Sequence, residues 1–449
     1  MKALCGYTLI ILVIIPAVLP AEGPYPSKIL GNGLEVIVVE NHTVPLVTIE
    51  ILFRNGAFIE SPEENGLTNL YDNLFFKANK ILSTQASYLA RVRELGMITG
   101  ASTREEWVHF HATLPSDSLG AGLEFMQQVV EFPMFNIDEM AREKELILEQ
   151  MDRQAANPGA QLNRAVQQKL WGSTFSRKDY QGDRQVIREA TLEQMLLMHE
   201  RYGLPNNAAL LVAGDVSPKD VFRLARKQFG GWEDGPDPSR TNPIPPMIPL
   251  AANVDTIVTQ PVTTARLTLA WQGPSVTADV KGTFAADVLS LILSQKTSSF
   301  QKNLIAAGVL EADMFYLTQK YVGPILINAA CRPDKLRAAH EALLAEIESF
   351  AEPEYFSDKQ LANAKTLLEV DAIYKRDEAS YFVHELGFWW AIAGLDYYRG
   401  YLDNLRAVSR ADIVNYVNRY IIGQPRVTAV MVDRQSQQEL NLAPGSLLP

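Results

Sequence analysis

The chain has 449 residues, of which 47% are hydrophobic and 21% are charged, and its formal net charge is −11. This length and balance are typical of a folded globular protein with two or more domains, and they exclude a long disordered chain. The acidic surface disfavours nucleic acid and anionic lipid as partners, because like charges repel, and it tolerates peptides, basic ones most easily.

The first 21 residues predict an export signal. One lysine, Lys2, precedes an apolar run from Leu9 to Val18, and small Ala21 offers a cleavage point. The run is too short for a standard membrane span, so we expect no stable membrane insertion after cleavage. Export to a bacterial periplasm is the favoured location, and anchoring by an uncleaved signal is the alternative.

Cysteine usage fits that location. Cys5 would leave with the signal and Cys331 would remain alone, so an internal disulfide is excluded. Cys331 follows the apolar stretch "PILINAA", which predicts a buried packing residue.

The rest of the chain reads as two copies of one unit. Val44–Ala57 and Gln260–Gly273 each place a proline ahead of an alternating strand pattern. The two prolines are 216 positions apart, and Tyr202 and Tyr420, each at the end of a helical pattern before an apolar strand, are 218 apart. Two independent landmarks with nearly equal spacing indicate an internal duplication.

Composition also suggests where the copies meet. Gly230–Pro249 holds six prolines and little periodic hydrophobicity, which predicts an extended linker. The predicted organisation is a signal at 1–21, a first domain at 22–229, a linker at 230–249 and a second domain at 250–449. Alternating strands followed by long helices predict an α+β fold: two homologous α/β-roll domains, each an antiparallel sheet with helices packed on one face.

The stretch "GLTNLYDNLFFKANK" (Gly66–Lys80) predicts an amphipathic helix. Its leucines and aromatic residues recur at the spacing of a core-facing stripe. Asn69, Asp72 and Asn73 fall on the opposite side, at i, i+3 and i+4. On pattern alone this polar side is a metal site, a lapsed metal site or a solvated helix face.

With the preceding strand region and "NGAFIESPEENGLTNLYDNLFFKANK", the chain resembles the insulinase/pitrilysin-type metallopeptidases, which include the mitochondrial processing peptidase. The resemblance extends over nearly the whole chain after the signal and implies two α/β rolls joined by a linker. The family binds zinc through an inverted HxxEH motif and a distant glutamate. The resemblance implies that Asn69 and Asn73 stand at the positions of the two motif histidines. It also implies that Asp72 stands at the position of the general base and Gln150 at that of the third ligand. Glu143 matches a supporting acid.

These substitutions predict a member that has lost peptidase chemistry. Zinc sites use imidazole, thiolate or carboxylate donors, whereas three of the four positions now carry neutral amides. Asp72 is one methylene shorter than glutamate, which draws its carboxylate back from where a general base must lie. We therefore expect no catalytic residue and no bound metal at Asn69, Asp72, Asn73 and Gln150, although a polar pocket would remain. A hard ion such as Ca²⁺ or Mg²⁺ on Asp72 and Glu143 is a disfavoured alternative, because such sites need more carboxylates.

Two further features bear on substrate binding. Gly100, Ala101, Ser102 and Thr103 resemble the family's edge strand, which implies that they accept a peptide as an added strand through main-chain hydrogen bonds. Gly100 replaces the asparagine usual there. Some family members also clamp peptide with an Arg and a Tyr in the second domain, but Ser298–Tyr316 contains no arginine and Glu311 stands at the tyrosine position.

Two further stretches contain histidine or aromatic residues that could be functional or structural. His109 and His111 share one face of the strand "VHFHATLP", but the sequence offers no evident third donor, so packing or surface exposure is favoured over a metal site. The aromatic-rich Gly387–Tyr398 predicts a buried core rather than an interface.

The sequence thus predicts a non-catalytic subunit of an exported zinc-peptidase complex. Its expected partners are a catalytic homologue that supplies the zinc and a peptide substrate held between the two chains. The alternatives are a stand-alone peptide-binding or structural protein and a metalloendopeptidase with a relocated metal site around His109 and His111.

Overall fold

The computed structural model describes residues 25–376 and 379–447. The predicted export signal lies outside these residues. Within them, no helix combines the length and the apolar character needed to cross a membrane.

The first half builds one six-stranded sheet with the order β1-β2-β6-β3-β5-β4. Its strands are β1 (Ser27–Ile29), β2 (Glu35–Glu40), β3 (Leu46–Phe53), β4 (Ile98–Thr103), β5 (Val108–Pro115) and β6 (Ala208–Gly214). Its helices are α1 (Leu67–Phe75), α2 (Gln85–Glu94), α3 (Leu119–Glu131), α4 (Ile137–Ala155), α5 (Pro158–Trp171), α6 (Arg184–Glu189), α7 (Leu192–Tyr202) and α8 (Pro218–Phe229).

After a short helix, α9 (Pro238–Thr241), the second half builds a five-stranded sheet with the order β7-β11-β8-β10-β9. Its strands are β7 (Val254–Thr259), β8 (Ala265–Gln272), β9 (Val309–Tyr316), β10 (Pro324–Cys331) and β11 (Val427–Val432). Its helices are α10 (Val280–Ser294), α11 (Ser299–Ala306), α12 (Leu336–Ser349), α13 (Asp358–Tyr374), α14 (Ala379–Ile392), α15 (Leu395–Arg399), α16 (Tyr401–Ala407), α17 (Arg410–Tyr420) and α18 (Arg434–Glu439).

The two sheets share one topology. Without β1, the first order becomes β2-β6-β3-β5-β4, which matches the second sheet strand for strand. Tyr202 and Tyr420 both end the helix, α7 or α17, that leads into the last strand of each sheet. The α+β class and the duplicated units predicted from the sequence are therefore confirmed.

The sheets differ from the expected arrangement in one pairing. In each half the last strand inserts between the first two long strands and runs parallel to one of them, as in β6 with β2 and β11 with β7. The other pairings are antiparallel. A parallel neighbour is possible because the long helical region before the last strand brings the chain back to the starting edge.

Each sheet is also covered on its second face, by a helix from the other half of the chain. Phe382, Leu386 and Trp390 of α14 pack on Ile37, Leu52 and Leu211 of the first sheet. In the same way, α5 packs its apolar face on the second sheet, through Leu162, Val166, Leu170 and Trp171. The expectation of one covered face was thus incomplete, because a crossing helix cannot be read from local patterns. The predicted burial of Gly387–Tyr398 is explained by this packing, and Cys331 is buried as expected.

The proline-rich segment 230–249 is mostly irregular but is not simply extended. It contains α9, and Trp232 is buried in the core of the first half. The Asn32 side-chain amide donates to the carbonyls of Phe229 and Trp232, both at 2.8 Å. The beginning of this segment is therefore fastened to the first half.

Candidate functional site

The start of α1 is fixed by a buried carboxylate. Glu60 accepts hydrogen bonds from the backbone N–H groups of Gly66 (2.8 Å) and Thr68 (2.7 Å) and from the Asn65 side chain (3.1 Å). Burial raises the pKa of Glu60 to about 7, although these hydrogen bonds oppose the rise. Gly66 has φ = +105°, and a Cβ atom there would lie 2.9 Å from the Cα atom of Gly182, so this close approach requires glycine.

Along α1 the predicted stripe is buried as expected, with Leu67, Leu70, Tyr71, Leu74 and Phe75 in the first core. Asn69 and Asn73 lie on the other side and are bound mainly to each other. The Asn73 amide nitrogen donates to the side-chain oxygen (3.0 Å) and the backbone carbonyl (2.8 Å) of Asn69. The Asn69 amide nitrogen donates to the carbonyl of Gln181 at 3.3 Å. These amides form a short chain of hydrogen bonds along the helix.

Asp72 is buried, which a solvated helix face does not explain. One of its carboxyl oxygens accepts a hydrogen bond from the Thr103 hydroxyl at 2.9 Å, and the other has no hydrogen-bond partner. Burial raises the pKa of Asp72 to about 7, and the Thr103 hydrogen bond offsets only part of this rise. Asp72 therefore links α1 to β4 and spends much of its time protonated near neutral pH.

A lysine extends this group of residues by one turn. Lys77 follows Asn73 by four positions, and its ammonium nitrogen lies 2.8 Å from a carboxylate oxygen of Glu143 on α4. The Glu143 side chain is 6% exposed, and the Lys77 cation offsets its charge. Gln150 also lies on α4, which packs beside α1, but its side chain is exposed. We call Asn69, Asp72, Asn73, Lys77 and Glu143 the inner cluster.

The inner cluster does not fit zinc. Its amides are weak donors that bring no charge, and those of Asn69 and Asn73 already form hydrogen bonds with each other. Of its two carboxyl groups, that of Glu143 is paired with the Lys77 cation, which would repel a divalent ion, and that of Asp72 is bound to the Thr103 hydroxyl.

The four residues predicted to bind peptide lie on β4, which is the edge strand of the first sheet. Thr103 faces α1 through its hydrogen bond to Asp72, whereas Gly100 lies on the opposite face, under the ring of His111. Between them, Ala101 is exposed and Ser102 is partly exposed. The edge position supplies main-chain groups for an added strand, and peptide binding itself stays a prediction. In the second half, Glu311 lies on β9, the corresponding edge strand, with its side chain exposed.

A second polar group lies on the outer face of the same sheet, opposite α1. His109 and His111 project from β5, and His384 of α14 lies over them, with distances of 4.7 to 5.3 Å between the ring centroids. Glu50 of β3 is buried beneath them and accepts a hydrogen bond from Nδ1 of His109 at 2.7 Å and a second, short one from Nδ1 of His384. We call Glu50, His109, His111 and His384 the outer cluster.

The ionisable groups of the outer cluster have pKa values that are shifted in different directions. Burial alone would raise the pKa of Glu50, but its hydrogen bonds to His109 and His384 outweigh burial and hold it at about 2. Burial would lower the pKa of His384, but the hydrogen bond and charge of Glu50 raise it. His111 differs, because burial and the neighbouring histidines lower its pKa to about 4. Its Nδ1 atom is buried without a hydrogen-bond partner.

Sequence reasoning found two members of this cluster and missed the other two. The missing third donor, His384, comes from the second half of the chain, 273 positions after His111. A signal was nevertheless present: Glu50 stands alone in the apolar strand "LVTIEILF", and a charged residue there needs a buried partner. The side of the strand on which Glu50 lies is the side that His109 and His111 share.

A large cavity separates α4 and α5 of the first half from β9 and β10 of the second half. Its volume is about 920 Å³, and its wall includes Gln161, Arg164, Gln181, Phe315 and Leu326. Since the carbonyl of Gln181 accepts the Asn69 amide, the inner cluster borders the cavity. The mixed polar and apolar wall suits a peptide better than a single small apolar ligand.

Comparison with protein families gives two matches that follow each other along the chain. Residues 35–181 match the model described as insulinase (peptidase family M16), and residues 189–368 match the model described as the peptidase M16 inactive domain. Together they extend from residue 35 to residue 368, with a gap at 182–188.

Individual relatives agree with these matches. A Rickettsia felis protein named as an uncharacterized zinc protease is 22% identical over 372 residues, which cover 81% of this chain and 87% of that protein. The zinc protease PqqE of Helicobacter pylori is 25% identical over 237 residues, and the alignment spans about half of each chain, 51% of this one and 52% of PqqE.

Solved structures match over most of the chain. A protease from Helicobacter pylori has a TM-score of 0.80 at 20% identity and covers 91% of this chain and 100% of its own. A peptidase M16 inactive domain from Pseudomonas fluorescens has a TM-score of 0.77 at 18% identity and covers 91% and 98%. The periplasmic protease PqqL of Escherichia coli has a TM-score of 0.80 at 15% identity, and the match covers 96% of this chain and 50% of PqqL. At these identities the likeness shows the fold.

Proposed function

Because this chain belongs to the insulinase-type peptidase family M16, we propose that it is a non-catalytic member that holds peptides for a zinc-bearing homologue. The observation that carries this proposal is the state of the inner cluster. The family's zinc positions hold Asn69, Asn73 and Gln150, and the two asparagine amides are hydrogen-bonded to each other.

The chemistry of the family depends on water that a metal ion has acidified. At the inner cluster, the group in the general-base position is Asp72, which hydrogen-bonds to Thr103 and is buried. A carboxyl with a pKa of about 7 is a usable base in principle. Without a metal to polarise the peptide carbonyl, however, that base alone supplies only a small part of the acceleration that amide hydrolysis needs.

Peptide binding asks less of the site than hydrolysis does. Main-chain hydrogen bonds to the free edge of β4 need no metal, and the cavity of about 920 Å³ begins close by, since Glu105 lines it two residues after β4 ends. A peptide added to β4 would therefore lie near both the cavity and the inner cluster. These features support retention of the peptide-holding step without the cutting step.

The chemistry of the site and the relatives support a partner and a location for the proposed function. A chain that holds peptide but lacks the zinc donors can take part in peptide degradation when it is paired with a homologue that has those donors. Such a partner would carry HxxEH and bring the zinc. The relatives include named zinc proteases, and the Escherichia coli neighbour is described as periplasmic. Together with the export signal predicted at 1–21, this supports an exported heterodimer.

The test is purification of the complex from the native cell, followed by metal analysis and peptidase assays of the complex and of each separated chain. We expect a second chain bearing HxxEH to co-purify, and we expect cleavage that a chelator inhibits in the complex and that this chain alone does not show. If the protein purifies without a partner and still binds unfolded peptides, the proposed complex is wrong and the chain is a stand-alone peptide-binding protein.

A third outcome has its own discriminating variants. If the isolated chain cleaves peptides in a chelator-sensitive way, the proposal is wrong and a relocated metal site is responsible. Activity would then disappear with His111→Ala and persist with Asn69→Ala, because only His111 belongs to the histidine cluster.

A further inference from the structure

The outer cluster brings together three of the chain's six histidines from distant parts of the sequence. One nitrogen atom from each of His109, His111 and His384 can be chosen so that all three lie within 4.8 Å of one another. Tetrahedral zinc with bonds of about 2.0–2.1 Å holds its ligand atoms about 3.4 Å apart. Side-chain rotations that shorten these separations by up to about 1.4 Å would therefore bring the three nitrogens to bonding distance.

Glu50 determines which nitrogen atoms are free. Because it accepts hydrogen bonds from Nδ1 of both His109 and His384, those atoms carry protons and the Nε2 atoms of the two rings are left to bind an ion. A carboxylate that receives the second N–H of a histidine is the usual support of a metal-binding imidazole, since it fixes the ring and raises its basicity. The Glu50 side chain is fully buried, so this support is rigid.

His111 supplies the unsatisfied donor. Its Nδ1 atom is buried and makes no hydrogen bond, although buried polar atoms normally have a partner. The Cε1–Nε2 edge of the ring faces Gly100, where a Cβ atom would lie 2.5 Å from Cε1. The ring can occupy this place only because residue 100 lacks a side chain, which gives the departure from the family's asparagine a physical consequence.

A second glycine allows the helix to approach. At Gly387 of α14 a Cβ atom would lie 2.7 Å from Leu52 and 3.2 Å from the Glu50 carboxylate. Glycine at this position brings α14, and with it His384, down onto the strands that carry the other residues. The cluster therefore consists of side chains from both halves of the chain that close packing holds together.

We propose that His109, His111 and His384 bind one divalent transition-metal ion of the zinc class, with Glu50 as a positioning residue. Imidazole nitrogen selects zinc, cobalt, nickel and copper over calcium and magnesium, which prefer oxygen. The His384 side chain is 31% exposed, so an ion can enter from that side and a water molecule can complete the coordination. The ion would tie α14 of the second half to β5 of the first.

The test uses the full chain after removal of the leader, free of any histidine tag, stripped with a chelator and dialysed. Titration with zinc should show one site per chain, and cobalt should give the visible absorption of a tetrahedral nitrogen-ligated ion. His111→Ala and His384→Ala should each weaken zinc binding by at least about a hundredfold, more than the effect of losing an outer support. His42→Ala is the matched control, since His42 is exposed and pairs with Glu40 and Asp215 away from the cluster.

His111→Ala is the decisive variant because it leaves the Glu50 hydrogen bonds in place. The metal-free variant should melt close to the wild type, whereas zinc should raise the melting temperature of the wild type alone. Absence of stoichiometric zinc binding by the wild type would overturn the proposal and leave the cluster as a hydrogen-bonded support centred on Glu50. Equal zinc affinity in the wild type and in His111→Ala and His384→Ala would overturn it as well, because the ion would then lie elsewhere.

Discussion

The inner and outer clusters lie on opposite faces of the first sheet and differ in their side-chain chemistry. The inner cluster contains the positions for which the resemblance implies zinc, but it offers amides, a carboxyl bound to Thr103 and a carboxylate paired with Lys77. The outer cluster lies on a face for which the resemblance implies no role, yet its three imidazoles and buried carboxylate are the groups that zinc proteins use. Position in a fold and donor chemistry are therefore separable.

The two clusters also differ in how they depend on the whole chain. The residues of the inner cluster, and Gln150, all belong to the first half. The outer cluster is incomplete until α14 of the second half brings His384 onto β5. Substitutions in the inner cluster therefore act on contacts within the first half, whereas substitutions in the outer cluster act on a contact between the halves.

The largest effect should come from Glu50→Gln. Glu50 is fully buried and hydrogen-bonds to two histidines, so its neutral analogue leaves them without a counter-charge. Removing one partner of a buried ion pair costs about 3–5 kcal/mol of the free energy of unfolding. Urea denaturation of the metal-free wild type and variant at pH 6 measures this loss in the free energy of unfolding.

Glu40→Gln is the matched control for this change. Glu40 also pairs with a histidine, His42, but both side chains are about half exposed. Exposed pairs contribute about 0–1 kcal/mol, so this variant should unfold nearly as the wild type does. Equal destabilisation by the two substitutions would show that the burial of Glu50 has no special importance.

A smaller effect is expected from Asp72→Asn, and it should depend on pH. Burial places the pKa of Asp72 at about 7 in the folded protein, above its ordinary value of 3.8. The contribution of the protonated carboxyl is therefore fully present below pH 3.8 and is lost as the pH rises through 7. Asparagine stays neutral throughout, so the stability of the variant relative to the wild type should rise by up to about 4 kcal/mol between pH 4 and pH 8. If the difference in stability between the variant and the wild type is the same at both pH values, folding does not raise the pKa of Asp72.

Sequence patterns predicted the elements of the inner cluster well. Period and spacing placed the apolar stripe of α1 in the core, and the resemblance directed attention to Asn69, Asp72 and Asn73 on the other side. What the pattern missed was the burial of Asp72, because α1 is flanked by β4 and α4 and the helix face alone does not reveal those neighbours. Lys77 was missed because its importance comes from the Glu143 carboxylate on another helix.

The outer cluster shows where local reasoning stops. Alternation along β5 put His109 and His111 on one face, and that is where they lie. The duplication even predicted two similar sheets. Neither argument contains the crossing of α14 over the first sheet, because that contact depends on how the halves dock rather than on any local period. The third histidine was therefore out of reach until the fold was known.

The smallest predicted effect concerns metal affinity at the inner cluster once the donors are restored. The change is the set Asn69→His, Asp72→Glu, Asn73→His and Gln150→Glu, made in a His111→Ala background so that zinc bound at the outer cluster does not obscure the measurement. We expect partial zinc uptake with little turnover, because Lys77 remains paired with Glu143 and places a positive charge beside the site. Adding Lys77→Leu should then tighten zinc binding by about tenfold, which corresponds to about 1.4 kcal/mol, and calorimetric titration measures the difference. If Lys77→Leu leaves the zinc affinity of the restored set unchanged, the lysine charge does not oppose metal binding, and the substituted donors alone account for the loss.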